Sequence, residues 1–146
     1  MRLLTRYHEA AYLLLRAVFA FLFMSHGYQR LFTGMAWPPF VLLGIANIIE
    51  AIAGPLILVG LFTRPLAFIA SGEMAVAYFV AHVPRGSLLP LNNMGEITVA
   101  LCFGFLYIAA RGGGRYSLDT LRERKEAANP EGGLTSASRP TINFPN

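Results

Sequence analysis

Residues 42–62 read LLGIANIIEAIAGPLILVGLF. Only Asn47 and Glu50 interrupt this otherwise apolar stretch. A helix crossing the hydrocarbon core of a bilayer needs about 20 such residues. The run Leu56-Ile57-Leu58-Val59 does not alternate in polarity, as a strand of a membrane barrel would. A backbone in lipid must satisfy its own hydrogen bonds, so the stretch predicts a membrane helix. Three further blocks of similar character, roughly 10–32, 65–83 and 93–110, predict three more.

Composition agrees. The chain has 146 residues, 55% of them hydrophobic and only 14% charged, whereas a soluble domain carries about a quarter charged residues. The net charge of +4 does not point to nucleic acid, because the basic residues gather at segment ends rather than in a stripe among exposed aromatics. Cys102 is the single cysteine, which excludes an internal disulfide and a CxxC redox pair. The first apolar block follows Arg2 and Arg6 without a convincing small-residue cleavage site, and reads as a retained helix.

Short links make consecutive helices antiparallel. Thr33 to Pro39 is the first link, with Trp37 as an interfacial anchor. Thr63-Arg64-Pro65 is the second, with Pro65 in the first turn of the next helix. Pro84 to Pro90 is the third. The expected fold class is all-α: an integral membrane four-helix up-down bundle over residues 1–111. A cytoplasmic Gly-rich turn and short amphipathic helix follow over 112–128, with Ser117 as its cap and Asp119 in its first turn. A disordered tail of Gly, Ser, Pro and Asn covers 129–146. Arg2, Arg6, Arg64 and the basic residues after Ala110 put both termini in the cytoplasm of a bacterial cell, with the chain in the inner membrane.

Ionisable side chains inside such spans are costly and usually functional. Helix 2 carries Asn47-x-x-Glu50 and helix 4 carries Asn93-x-x-Glu96, each with Asn and Glu on one helix face. Helices 1 and 3 carry His26 and His82 toward their outer ends, with Arg16 and Glu73 further in. The two halves echo one another, as a duplicated helical hairpin would. At about 1.5 Å per residue, His26, Glu50 and Glu96 fall in the outer half. An outer polar cluster ringed by Phe19, Phe23, Tyr78 and Phe79 is expected. Arg16 can snorkel inward or pair with Glu73 across the bundle, and Arg16 and Glu73 are assigned as the structural ion pair. Each residue also has a plainer reading. A histidine can simply bond a backbone carbonyl, and a buried Glu can be neutral and hold helices together.

Several of these stretches together resemble the DoxX family of small bacterial membrane proteins. They are Leu15-Arg16, His26-Gly27-Tyr28-Gln29-Arg30-Leu31, Glu50 to Gly54, Gly60-Leu61, Thr63-Arg64, Asn92-Asn93-Met94-Gly95-Glu96, and the closing Gly112 to Asp119. Arg30 stands where Lys is usual in the family, and Gly113 where Pro is common. The resemblance implies a four-helix membrane bundle and a loose association with oxidoreductase or quinone-linked subunits. Some relatives are named for thiosulfate oxidation, and others are tied to thiol and oxidative-stress assemblies.

Three functions are compatible with this pattern. In the first, a redox-associated subunit binds a quinone or other lipophilic ligand in an outer-half polar pocket. His26, Glu50 and Glu96 would then act on protons, and His26, Asn47, Asn93 and His82 would bind the cofactor. In the second, the chain is a non-catalytic anchor or assembly partner of a redox or thiol stress-response complex. In the third, it is a small-solute or proton pathway. The cofactor is unknown. Quinone fits the pattern better than haem or a metal, since no HxxxH or ExxH pairing is present, and no metal ligand set is assigned. The expected partners are the lipid bilayer, a redox enzyme or a second copy of the chain, with no nucleic acid.

Overall fold

The computed structural model describes residues 7–32 and 41–128, the first three of the second stretch by backbone alone. Arg2, Arg6, the link containing Trp37 and the tail from Asn129 lie outside the described residues. The regular elements among the described residues are all helical, without strands. The long elements are α1 (His8–Phe32), α2 (Val41–Val59), α3 (Thr63–Ala77) and α5 (Glu96–Arg111); α4 (Pro90–Asn93) and α6 (Leu118–Ala128) are short.

α2 ends three residues earlier than the apolar pattern predicts. Gly60 takes φ 75°, and the bonds from Leu61 N to Leu56 O (2.9 Å) and from Gly60 N to Ile57 O (3.1 Å) close a Schellman turn, which needs a left-handed residue at that point. α3 runs past Ala77 as a π turn over Tyr78–His82 and a 3₁₀ turn over Val83–Arg85. Pro84 lacks the N–H that a continuing α-helix would bond back to Val80, so the last turns are irregular.

The helices pack as two close pairs, α1 with α2 and α3 with α5, joined by α2–α3 and α1–α5 contacts. Contacts march in opposite directions along each pair, which makes the partners antiparallel. A Cβ on Gly27 would meet Glu50 Cβ at 2.8 Å, and one on Gly54 would meet Met24 Cβ at 2.5 Å. In the other pair Ser71 Oγ donates to Cys102 O at 2.8 Å. The core is apolar, built on Phe23, Phe105, Ile57 and Ile108, with Phe19 and Phe23 edge-on to Phe105. Phe79 is an exception to the expected aromatic ring, since it is 62% exposed.

The outward faces are also apolar, with Leu14, Val18, Phe21, Phe68 and Phe103 exposed, which suits contact with lipid rather than water. His8–Phe32 and Thr63–Arg85 are long and apolar enough to cross a membrane. The apolar stretch Gly44–Val59 is shorter, and α5 has 16 residues.

Because Gly54 admits the backbone of α1 so closely, Gly54→Val should destabilise the protein by about 1–3 kcal/mol. A lower melting temperature of the detergent-solubilised variant, with helical content unchanged below it, is the expected result.

Candidate functional site

The polar side chains gather at the two ends of the helix assembly. The closing end, where α1 starts and the Gly112–Asp119 segment lies, is densely hydrogen-bonded, although Arg16 Nε and Thr63 Oγ1 are buried there without a partner. Arg16 is 1% exposed. Its two Nη groups donate to Gly113 O and, at 2.7 Å, to Tyr116 O, while Tyr12 Oη donates to Gly112 O. Arg16 therefore holds a loop, and the expected ion pair with Glu73 does not form. Main-chain carbonyls at the end of α5 offer Arg16 a closer set of acceptors than a carboxylate further along the bundle.

The loop returns the favour to the helices. Asp119 accepts from Phe62 N and Thr63 N, each at 2.8 Å, and so caps the start of α3 from across the fold. Arg64, in the first turn of α3, donates to Ala109 O, Ala110 O and Arg111 O at 2.6–3.3 Å, and so caps the end of α5. Arg111 pairs with Glu9 at 2.8 Å. Ser117 receives Thr120 N at 3.2 Å and caps α6 as the sequence predicts. A cavity of about 500 Å³ opens at this end, lined in part by Arg64, Arg111, Arg122, Asp119 and Glu123. None of its lining residues belongs to the outer-half set.

The opposite end holds two groups. One surrounds Asn93, which is 1% exposed. Its Nδ2 donates to Ser87 O (3.0 Å) and Tyr78 Oη (3.2 Å), and its Oδ1 accepts from Gly95 N (2.8 Å). Tyr78 Oη in turn donates to Leu88 O at 2.6 Å. His82 uses both ring nitrogens: Nδ1 lies 3.2 Å from Asn93 O and Nε2 lies 3.1 Å from Thr98 Oγ1. With both nitrogens engaged, His82 offers none to a haem iron or other ligand. Asn93 and His82 thus organise the α4–α5 link.

The pairing of Asn93 with Glu96 on one helix face is also corrected. Met94, at φ 59°, and Gly95 break the helix between them, and Glu96 opens α5 with its side chain exposed. Glu96 therefore leaves the cluster. Among the described residues no three His, Cys, Asp or Glu side chains are grouped to hold a metal ion.

The second group joins α1, α2 and α3. Glu50 is 2% exposed, and its Oε2 lies 3.5 Å from Arg30 Nη1 without a hydrogen bond. Arg30 Nη1 also donates to Asn47 Oδ1 at 3.1 Å. His26 lies within electrostatic range of Glu50, and its Nδ1 is 2.8 Å from Leu22 O. That carbonyl can only accept, so Nδ1 carries a proton, and in the neutral ring Nε2 presents a lone pair. Glu73 lies within electrostatic range of Glu50 and Arg30, and its Oε2 is buried without a hydrogen-bond partner.

Sequence reasoning treated Arg30 as a mark of topology and missed it as a site residue. Its spacing four residues after His26, on the same face of α1, was the available signal.

Residues 11–83 match the DoxX family. An uncharacterized protein of Haemophilus influenzae is 36% identical over 130 residues, which span 82% of this chain and 96% of the relative. The chain belongs to the DoxX family. Its members are membrane-associated. The Arg30–Glu50 pair and all of α3 lie inside the matched segment, whereas Asn93, Glu96 and the closing loop lie beyond it. No solved structure matches the chain.

Burial acts to raise the Asp119 carboxyl, but the amides of Thr63 and Phe62 outweigh it and hold the group below its ordinary range. A depressed folded value means that the stabilisation is complete above the unfolded value, about 3.9, and fades as pH falls through the folded one. Asp119→Ala should therefore cost about 1 kcal/mol at neutral pH. Melting curves of wild type and variant should draw together in acid.

Proposed function

We propose that this DoxX protein is an inner-membrane four-helix bundle, both termini cytoplasmic, which acts as a redox-associated subunit. In this reading it binds a quinone or similar lipophilic molecule at the Arg30–Glu50 end. The observation that carries the proposal is the buried Glu50 carboxylate, whose Oε2 faces Arg30 yet makes no hydrogen bond. A buried acceptor with unused capacity is expensive in an apolar interior, and a hydroxyl-bearing headgroup would relieve it. The residues suit such a group. Arg30 has five N–H donors and uses few of them here, so it can also approach a carbonyl oxygen.

A quinone, when bound, supplies two-electron, two-proton chemistry at its paired oxygens. The protein's share would be positional. Arg30 orients an oxygen and Asn47 steadies Arg30, while Glu50 accepts or returns a proton with His26 Nε2 beside it. Glu96, Asn93 and His82 have no part in this arrangement, for the geometric reasons given above.

A second reading, a non-catalytic assembly partner, draws support from the closing end and from the Asn93 group. There, the polar side chains bond within the chain itself and fix helix geometry.

Mass spectrometry of lipids retained by the purified protein distinguishes the two. A quinone-class lipid should accompany the wild type and fall about tenfold, roughly 1.4 kcal/mol of binding, in both Glu50→Gln and Arg30→Gln. Retention of no such lipid by wild type, or equal retention by all three, would count against a ligand site and favour the assembly role.

A further inference from the structure

Glu73 is a half-buried residue with one buried carboxyl oxygen, and the ligand chemistry above leaves it unused. It enters from α3, opposite the α1–α2 pair that carries Arg30 and Glu50. Its Oε2 is buried with no hydrogen-bond partner, and so is Oε2 of Glu50. Both carboxyls lie within range of the same guanidinium, and Glu50 is the nearer, at 3.5 Å.

The remaining charges do not balance the pair. His26 is the other titratable group facing Glu50; its Nδ1 donates to Leu22 O, and as a neutral ring it adds no positive charge. From α5, Glu96 is exposed, and Arg111 is engaged with Glu9 at the closing end. Two ionised carboxylates against one arginine would leave a net negative charge inside an apolar assembly. Such a charge is removed by taking up a proton, the usual outcome when like charges share a poorly solvated site.

We infer that Glu73 and Glu50 hold one proton between them, resting on Glu73 while Glu50 stays ionised against Arg30. The site is then neutral: one carboxylate, one carboxylic acid and one guanidinium. Moving the proton from Glu73 to Glu50 keeps that balance and involves no electrons. Glu73 thereby becomes the proton store of the proposed ligand site, and in that respect the inference rests on that reading. The protonation itself is a property of the ligand-free protein.

Infrared spectroscopy of the full chain reconstituted in lipid vesicles tests it. At neutral pH the wild type should show a protonated-carboxyl C=O band that shifts in heavy water. Glu73→Gln should abolish the band. Glu50→Gln should abolish it too, because Arg30 is then free to hold Glu73 ionised. Arg30→Gln should strengthen it, since both carboxyls would then be neutral. Absence of the band in wild type, as when His26 carries the proton instead, overturns the inference. So does survival of the band in either Glu variant.

A measurement without variants guards against misfolding. Dicyclohexylcarbodiimide reacts with a carboxylic acid whose O–H adds across its C=N bond, the proton going to nitrogen and the oxygen to carbon. Peptide mapping of labelled wild type should place the adduct on Glu73, with yield falling as pH rises. Label found only elsewhere, or not at all, sinks the proposal. A protein that shows the band and the label but retains no quinone would refute the ligand reading alone.

Discussion

Arg16 lies at the root of the closing end. A guanidinium at 1% exposure must bond its surroundings or be expelled, and hydrogen bonds from a charged donor contribute about 1.5–3 kcal/mol each. Arg16 directs its two Nη groups at Gly113 O and Tyr116 O, and thereby fixes the segment that follows α5. Gly60 must be a glycine for the same reason. A Cβ there would come within 2.8 Å of Arg16 Nη1 and 2.5 Å of Ser117 Cβ. Once the segment is docked, Asp119 reaches the start of α3 and the main chain at the end of α5 lies under Arg64. The two helices of this pair are thus capped by residues remote in sequence.

Both ends leave buried polar atoms without partners, Arg16 Nε and Thr63 Oγ1 at the closing end and two carboxyl oxygens in the Arg30 group. At the closing end, and around Asn93 and His82, main-chain carbonyls and amides absorb the side chains. Around Arg30 the side chains face mainly one another, and two carboxyl oxygens go without hydrogen bonds. An incompletely bonded polar group is costly in a low-dielectric interior, and in a membrane span it is a reason to look for function. Two unbonded carboxyl oxygens within range of one guanidinium, rather than the presence of charge as such, set Arg30, Glu50 and Glu73 apart.

Much of the helical layout was legible. Apolar blocks located α1, α2 and most of α3, and Ser117 correctly marked the start of α6. The sequence also singled out Glu50 and His26. It misjudged Glu96, because Asn93-x-x-Glu96 fits a helix face only if the helix is unbroken. Met94 is a poor signal for a left-handed break. It paired Arg16 with Glu73 because an opposite charge is the side-chain partner that composition suggests. Backbone carbonyls are invisible to that reasoning, yet they are what the structure supplies. Asp119 was read as serving its own helix, since nothing local tells that its carboxylate reaches across to Phe62 and Thr63.

Cross-capping also has a bearing on the order in which the protein is made. The amide of Phe62 waits for a carboxylate 57 positions later in the chain. Ribosomes add about 5–20 residues per second, so for roughly 3–11 s the head of α3 exists without its cap. For most of that interval Arg16, made earlier still, also lacks the carbonyls it will hold. The segment that follows α5 therefore delivers the clasp for helices already laid down, and this end of the assembly closes from the later segment backward.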